Sequence, residues 1–98
     1  MSSSVEIGTL IDRDPAVRGG RPKIAGTGLT VRTIVRCHKM DMAAEEIAAE
    51  YQHLSLAQVH AALAYYYANR EEIESDIAQE EASARYWEGE LARSPKGP

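Results

Sequence analysis

The chain is predicted to be mainly α: a short N-terminal β-hairpin element, then a three-helix domain with a long C-terminal helix. Three observations predict this. Glycine, proline and extended-propensity residues concentrate before residue 30, and apolar residues recur at helical spacing after it. Between residues 56 and 88 there is neither Gly nor Pro. Positions 56, 59, 63, 66, 70, 73, 77, 80, 84, 87 and 91, through that range and just past it, keep an unbroken 3-4 spacing.

Taken in order, residues 1–4 read as a frayed end, and Val5, Ile7, Leu10 and Ile11 mark short extended segments interrupted at Gly8. Asp14-Pro15 and Gly19-Gly20 are turn signals, and Pro22 biases Arg21 toward extended backbone. Ile24-Ala25 is a strand candidate, and Gly26-Thr27-Gly28 turns the chain again. Such a hairpin is too small to stand alone and needs a helix or a second copy to cover it. Thr30 is the expected N-cap of a first helix over 31–39, with Val31, Ile34, Val35 and Cys37 as its apolar residues. Asp41 is the expected cap of a second helix from Ala43 to Tyr51, where Ile47 and Tyr51 form an i, i+4 pair. Gln52-His53-Leu54 reads as a turn, and Ser55 as the cap of the third helix. That helix has the text to continue for about 36 residues, roughly 50 Å. A domain of this size cannot bury all of it, so the part beyond residue 70 is expected to project or to lie along another chain. The divisions that follow are 1–29, a β/turn element; 30–69, the helical domain; 70–93, an amphipathic acidic helix; and 94–98, a disordered tail.

Composition sharpens this. Seven of the eleven Lys/Arg residues fall in 1–40 against three acids, so that segment carries +4, whereas 41–98 holds four basic and twelve acidic residues and carries −8. A small protein with one positive and one negative end is expected to face two different partners. The apolar fraction is 44%, much of it Ala, and Phe is absent, so the core must be built from Ile, Leu, Val and Tyr. Such a chain gains stability from a partner or from homodimerisation. Cys37 is the only cysteine, which excludes an intramolecular disulfide and fits a reducing compartment. The first residues lack the basic and apolar runs of a signal peptide, and no apolar run nears the ~20 residues of a membrane span. A cytoplasmic protein is expected.

The chemistry on offer is that of binding. A short helix, a tight turn and a longer helix, preceded by one more, match the three-helix, homeodomain-like helix-turn-helix layout of DNA-reading domains. The third helix supplies only Ser55, Gln58 and His60 as polar edges, so phosphate contacts must come from Arg18, Arg21, Lys23, Arg32, Arg36 and Lys39. Arg32, Arg36 and Lys39 share one helix face. Residues 20–28 do not form a phosphate-binding glycine loop, because the Gly-Lys-Ser/Thr ending is absent, and turns with positive φ account for those glycines. His38, His53 and His60 lie on different elements, which argues against a metal site, and no nucleophile–base set occurs in a catalytic context. The chain is expected not to be an enzyme and to need no cofactor. Tyr66, Arg70, Ile73, Ile77, Arg85, Trp87 and Leu91 along the last helix are the candidate protein-binding residues.

Three blocks carry a family resemblance. Gly19 to Thr27, with Leu29 and Val31, resembles the GGxPxIxGTRIxV signature of the domain of unknown function 433 family, described as VapB-type antitoxins. Residues 42–47 are similar to its MSxEEI helix start, and 51–65 to its YPHLTxEDIxAALxYA block. Gly28 stands where the common pattern has arginine, and Thr30 where it often has proline. The resemblance implies an antitoxin of a type II toxin-antitoxin pair: a DNA-binding helix-turn-helix protein that inhibits a PIN-like ribonuclease toxin and represses its own operon from operator DNA. It also implies a basic antitoxin side chain reaching the toxin's acidic metal site, with Arg70, Arg85 and Arg93 as candidates. Two alternatives from the residues themselves are a stand-alone transcription regulator and a protein-interaction adaptor without DNA binding.

Overall fold

Left-handed backbone sets the N-terminal element. Gly19, Gly20 and Gly26 have φ of 67°, 80° and 79°, values an L-residue adopts only at a cost. The first two form the tight turn Arg18–Gly20, which returns the chain so that strand β1, Ile11–Asp12, pairs antiparallel with β2, Lys23–Ile24. The register is Ile11 opposite Ile24 and Asp12 opposite Lys23. Gly26 sits third in the next turn, the position that demands positive φ in a type II turn. There Thr27 closes the loop twice: its amide and hydroxyl both donate to the Ile24 carbonyl, at 3.1 and 2.8 Å. The chain then re-pairs with β2 through a Lys23–Thr30 bridge. Ile7–Thr9, expected to be extended, is a short 3-10 turn instead.

The computed structural model describes residues 7–51 and 54–93, with side chains through Gly89; the expectations for residues 1–6, for Gln52-His53 and for the 94–98 tail lie outside the described residues. Four helices follow the sheet: α1 Val31–Lys39, α2 Ala44–Glu50, α3 Leu56–Ala68 and α4 Arg70–Arg93. Ile24, Val31, Ile34, Val35, Ile47, Val59 and Ile73 are fully buried, joined by Ala62, Tyr66 and Ile77. Full burial of each large aliphatic side chain is worth roughly 1.5–3 kcal/mol. α1 lies at the centre, packed on α2, α3 and α4, while α3 covers the sheet. The small hairpin is therefore covered within its own chain.

The helix ends bear out the caps Ser55 and Thr30 and correct that of Asp41. Ser55 caps α3 as expected, in a reciprocal box: the Gln58 amide donates to Ser55 Oγ at 3.2 Å and the Ser55 amide to Gln58 Oε1 at 2.7 Å. Thr30 is the N-cap residue of α1 as expected, though its hydroxyl pairs with that of Thr33 at 3.0 Å and makes no cap bond to the backbone. Asp41 does not start α2; it ends α1. At φ 64° it takes the left-handed position, its amide donating to the His38 carbonyl and that of Met42 to the Cys37 carbonyl, the bond pair of a Schellman motif. α2 begins one turn on, where the Ala43 amide donates to Glu46 Oε1 at 2.7 Å. The long helical run, whose continuity the sequence leaves open, is in fact two helices. Asn69, at φ −138° and ψ 50°, separates α3 from α4.

That single break redirects α4. Its first three turns fold back along α1 and bury Ile73 and Ile77. Only the remainder leaves the body, stretching the molecule to 63 Å against 28 and 27 Å in the other directions. No helix among the described residues is long and apolar enough to cross a membrane.

Candidate functional site

Two surfaces carry the chain's chemistry. The first is the face shared by α1 and α4. Arg32, Arg36 and Lys39 line one side of α1 as their spacing requires, and α4 presents Glu72, Asp76 and Glu80 at the same four-residue repeat, with Glu74 alongside. Arg32 Nη1 donates to Asp76 Oδ1 at 2.9 Å and its Nε lies 3.4 Å from Glu80 Oε2. Arg36 Nη1 reaches Glu80 Oε1 at 2.8 Å, and Lys39 Nζ the two Glu74 oxygens at 2.7 and 2.8 Å. The N-terminal element joins in: Arg21 Nε donates to the same Asp76 Oδ1 at 2.5 Å, and Arg13 pairs with Glu72. Lys23 is buried and paired to Asp12 across the strands at 2.8 Å. Among the described residues, Arg18 is the one N-terminal cation without an ion-pair partner.

Phenols stitch the same face. Tyr65 accepts from Arg13 at 2.7 Å and donates to Glu72 at 2.8 Å, while Tyr66 donates to Glu74. The electrostatics follow from these bonds. Lys39, then Tyr66, hold the Glu74 carboxyl below the ordinary glutamate range. Glu74 raises Lys39 and Glu72 raises Arg13, each through a hydrogen bond. Burial, then the bond to Glu72, pushes the Tyr65 phenol up. Asp76 is 7% exposed and sits at the centre, its Oδ1 shared by two guanidinium groups and its Oδ2 buried without a hydrogen-bond partner. Of the nine residues expected to touch DNA, Arg21, Arg32, Arg36 and Lys39 pair with acids of α4, Lys23 is buried and paired to Asp12, and Gln58 takes part in the Ser55 cap. Arg18, Ser55 and His60 are exposed.

The second surface is the projecting part of α4. Tyr86 and Trp87 are 58% and 60% exposed, and their rings meet edge to face at 5.2 Å. Arg85 is exposed beside them. An aromatic pair of this kind supplies a large contact area at low entropic cost. The other candidates on the seam behave differently. Tyr66, Ile73 and Ile77 belong to the chain's own core. Arg70 lies over the Tyr66 and Tyr67 rings at 5.3 and 5.7 Å. The side chains of Leu91 and Arg93 lie outside the described residues. Sequence reasoning missed Tyr86 and the structural role of Glu72, Glu74, Asp76 and Glu80. The signal was present: a four-residue repeat of acids in α4 matching the repeat of bases in α1.

The glycine-rich signature is explained by turns. Gly19, Gly20 and Gly26 need positive φ, Pro22 and Ile24 are buried, and Thr27 closes its own loop. Gly28 is different: it is exposed, and a side chain there would meet open space. Among the described residues no cluster of three or more His, Cys, Asp or Glu is placed to hold a metal ion.

Comparison with known proteins fits this architecture. Residues 11–66 match the family model described as protein of unknown function, DUF433. The crystal structure of a DUF433 member protein from Anabaena variabilis ATCC 29413 is similar, with a TM-score of 0.68 at 33% identity over 71% of this chain and 69% of that chain. No curated protein matches. The family match takes in both strands and the first three helices up to Tyr66, and with a solved relative of that identity alongside it, the chain belongs to the DUF433 family.

Proposed function

We propose that the protein is the antitoxin of a type II toxin-antitoxin pair, using the projecting part of α4 to bind and inhibit a PIN-like ribonuclease. The observation that supports this most is the pair Tyr86 and Trp87, exposed on a helix that extends past its own core. Beside them Arg85 is exposed, and in this reading it is the cation that enters the toxin's acidic metal site. In this reading α2 and α3 act as a helix-turn-helix of homeodomain-like layout on operator DNA, with Arg18 and the start of α3 toward the duplex. The neutralised basic stripe favours a second reading, an adaptor that binds protein and not DNA, because phosphate contact needs cations not already paired.

The deciding experiment is co-expression with the product of the adjacent open reading frame, followed by a ribonuclease assay with and without this chain. The antitoxin reading expects a stable complex whose nuclease is released when this chain is removed, and loss of inhibition with Trp87→Ala. An inactive neighbour with no complex overturns it. Binding to the protein's own promoter DNA separates the two readings. An affinity that falls steeply with salt and rises in Gly28→Arg supports operator binding, and no binding at low salt supports the adaptor.

A further inference from the structure

We propose that α4 is an exchangeable element, and that a second copy of this chain is its alternative partner: two chains trade α4 helices, each straightening at Asn69 so that α3 and α4 run as one helix. This does not depend on the antitoxin reading.

The hinge is a single residue. Asn69 leaves helical geometry at φ −138° and ψ 50°, yet its amide already donates to the Tyr66 carbonyl at 3.1 Å and its carbonyl accepts from Ile73 at 3.2 Å. Returning it to the α region changes two dihedral angles and completes the i→i−4 ladder across the junction. The sequence offers no resistance, since residues 56–88 hold neither Gly nor Pro and keep their 3-4 spacing straight through position 69. The two helices thus carry the text of one helix, interrupted by tertiary packing and by the Asn69 side-chain amide, which donates to the Tyr65 carbonyl at 3.1 Å and is lost in Asn69→Ala.

What interrupts it is portable. α4 is held by groups far away in sequence: Arg32 and Arg36 are 44 residues from their acids, Arg21 is 55 from Asp76, and Arg13 is 59 from Glu72. Each bond can be remade with the same geometry by α4 of a second chain, as can the burial of Ile73 and Ile77 and the bonds from Tyr65 and Tyr66. Exchange therefore keeps the whole interface, adds helical bonds at the junction and costs the entropy of association, which concentration offsets. Charge complementarity selects the occupant. The face of α1 carries cations spaced to meet Glu74, Asp76 and Glu80, and Arg13 of the N-terminal element meets Glu72, so another α4 fits this face in register.

Light scattering on the full chain, run from micromolar to millimolar concentration, tests this with two variants of opposite sign. Asn69→Ala favours the straight helix and is expected to tighten the dimer several-fold. Arg70→Pro is tolerated at the first position of α4 but cannot lie inside a helix, and it is expected to weaken the dimer on the order of 100-fold or more. A complementation test identifies the exchanged part. Arg32→Glu and Asp76→Arg each break the closed pair, but refolded together they form a dimer in which one interface is native and the other has its charges reversed. A one-to-one heterodimer from the mixture supports exchange. A wild-type chain and Asn69→Ala that stay monomeric at millimolar concentration overturn it, as does a dimer that Arg70→Pro leaves unchanged or a mixture that yields no heterodimer.

Discussion

Asp76 is the residue on which the most charge converges. One carboxylate oxygen serves Arg21 and Arg32, and all but 7% of the residue is buried. Breaking such a pair from one side strands the remaining charge, at about 3–5 kcal/mol. Asp76→Ala is expected to destabilise by about 3 kcal/mol in urea unfolding, because Arg32 is also mostly covered. Glu74 and Lys39 are the contrasting case, since both are exposed. Glu74 is lowered in the folded state, so its contribution is present above the ordinary glutamate value and is lost as pH falls through the folded one. Lys39 is raised, so its contribution is present below the ordinary lysine value and fades as pH rises through the folded one. The urea midpoint is thus expected to be flat near neutrality and to fall below about pH 4, near the unperturbed glutamate value. Glu74→Gln should flatten part of that fall while costing less than about 1 kcal/mol at pH 7, solvent screening both partners. An acid limb identical to wild type would show that other carboxylates set it.

At the scale of the element, α4 is one helix with two jobs. Residues 70–80 are core and counter-ion; from Ala78 to Trp87 the apolar side chains meet solvent. Ile73→Ala is therefore expected to cost about 3 kcal/mol of stability, the usual loss for a buried aliphatic truncation. Trp87→Ala should stay within about 0.5 kcal/mol of wild type, as a surface change does. Paired thermal melts check both, and a large loss at Trp87 would mean that the outer helix packs on its own chain. The 3-4 spacing made both halves legible as helix, and Tyr66 legible as seam. It left the break open, since Asn69 lies in a run without Gly or Pro; its backbone departs from helix where its side-chain amide takes the Tyr65 carbonyl and Ile73 and Ile77 pack onto α1.

For the whole molecule, the charge halves that looked like two separate binding surfaces are mostly two sides of one internal face. The segment with +4 and the segment with −8 find each other in five of the seven N-terminal cations. A chain ending after Glu81 keeps every one of those pairs and is expected to unfold cooperatively with little loss of stability. A chain ending at Asn69 loses Ile73, Ile77 and all the acids facing α1, and is expected to lose cooperative unfolding, as near-ultraviolet circular dichroism would show. Two truncations of equal stability would place the stabilising core in residues 7–69 alone.

The sequence by itself determined the local parts. The glycines mark the left-handed turns, Ser55 and Gln58 cap α3, Ile34, Val35, Ile47 and Val59 line the core, and the ordered signature marks the family. These rest on backbone sterics and on the helical period, which act over a few residues. Tertiary structure decided the rest: that Asn69 bends the chain, that Asp41 ends one helix instead of starting the next, and that Arg32, Arg36 and Lys39 face Asp76, Glu80 and Glu74. Partners about 35 to 44 residues apart leave only a shared repeat in the text. Whether such a stripe of charge meets solvent, a polyanion or its own chain depends on packing, because burying two isoleucines brings the acids with them.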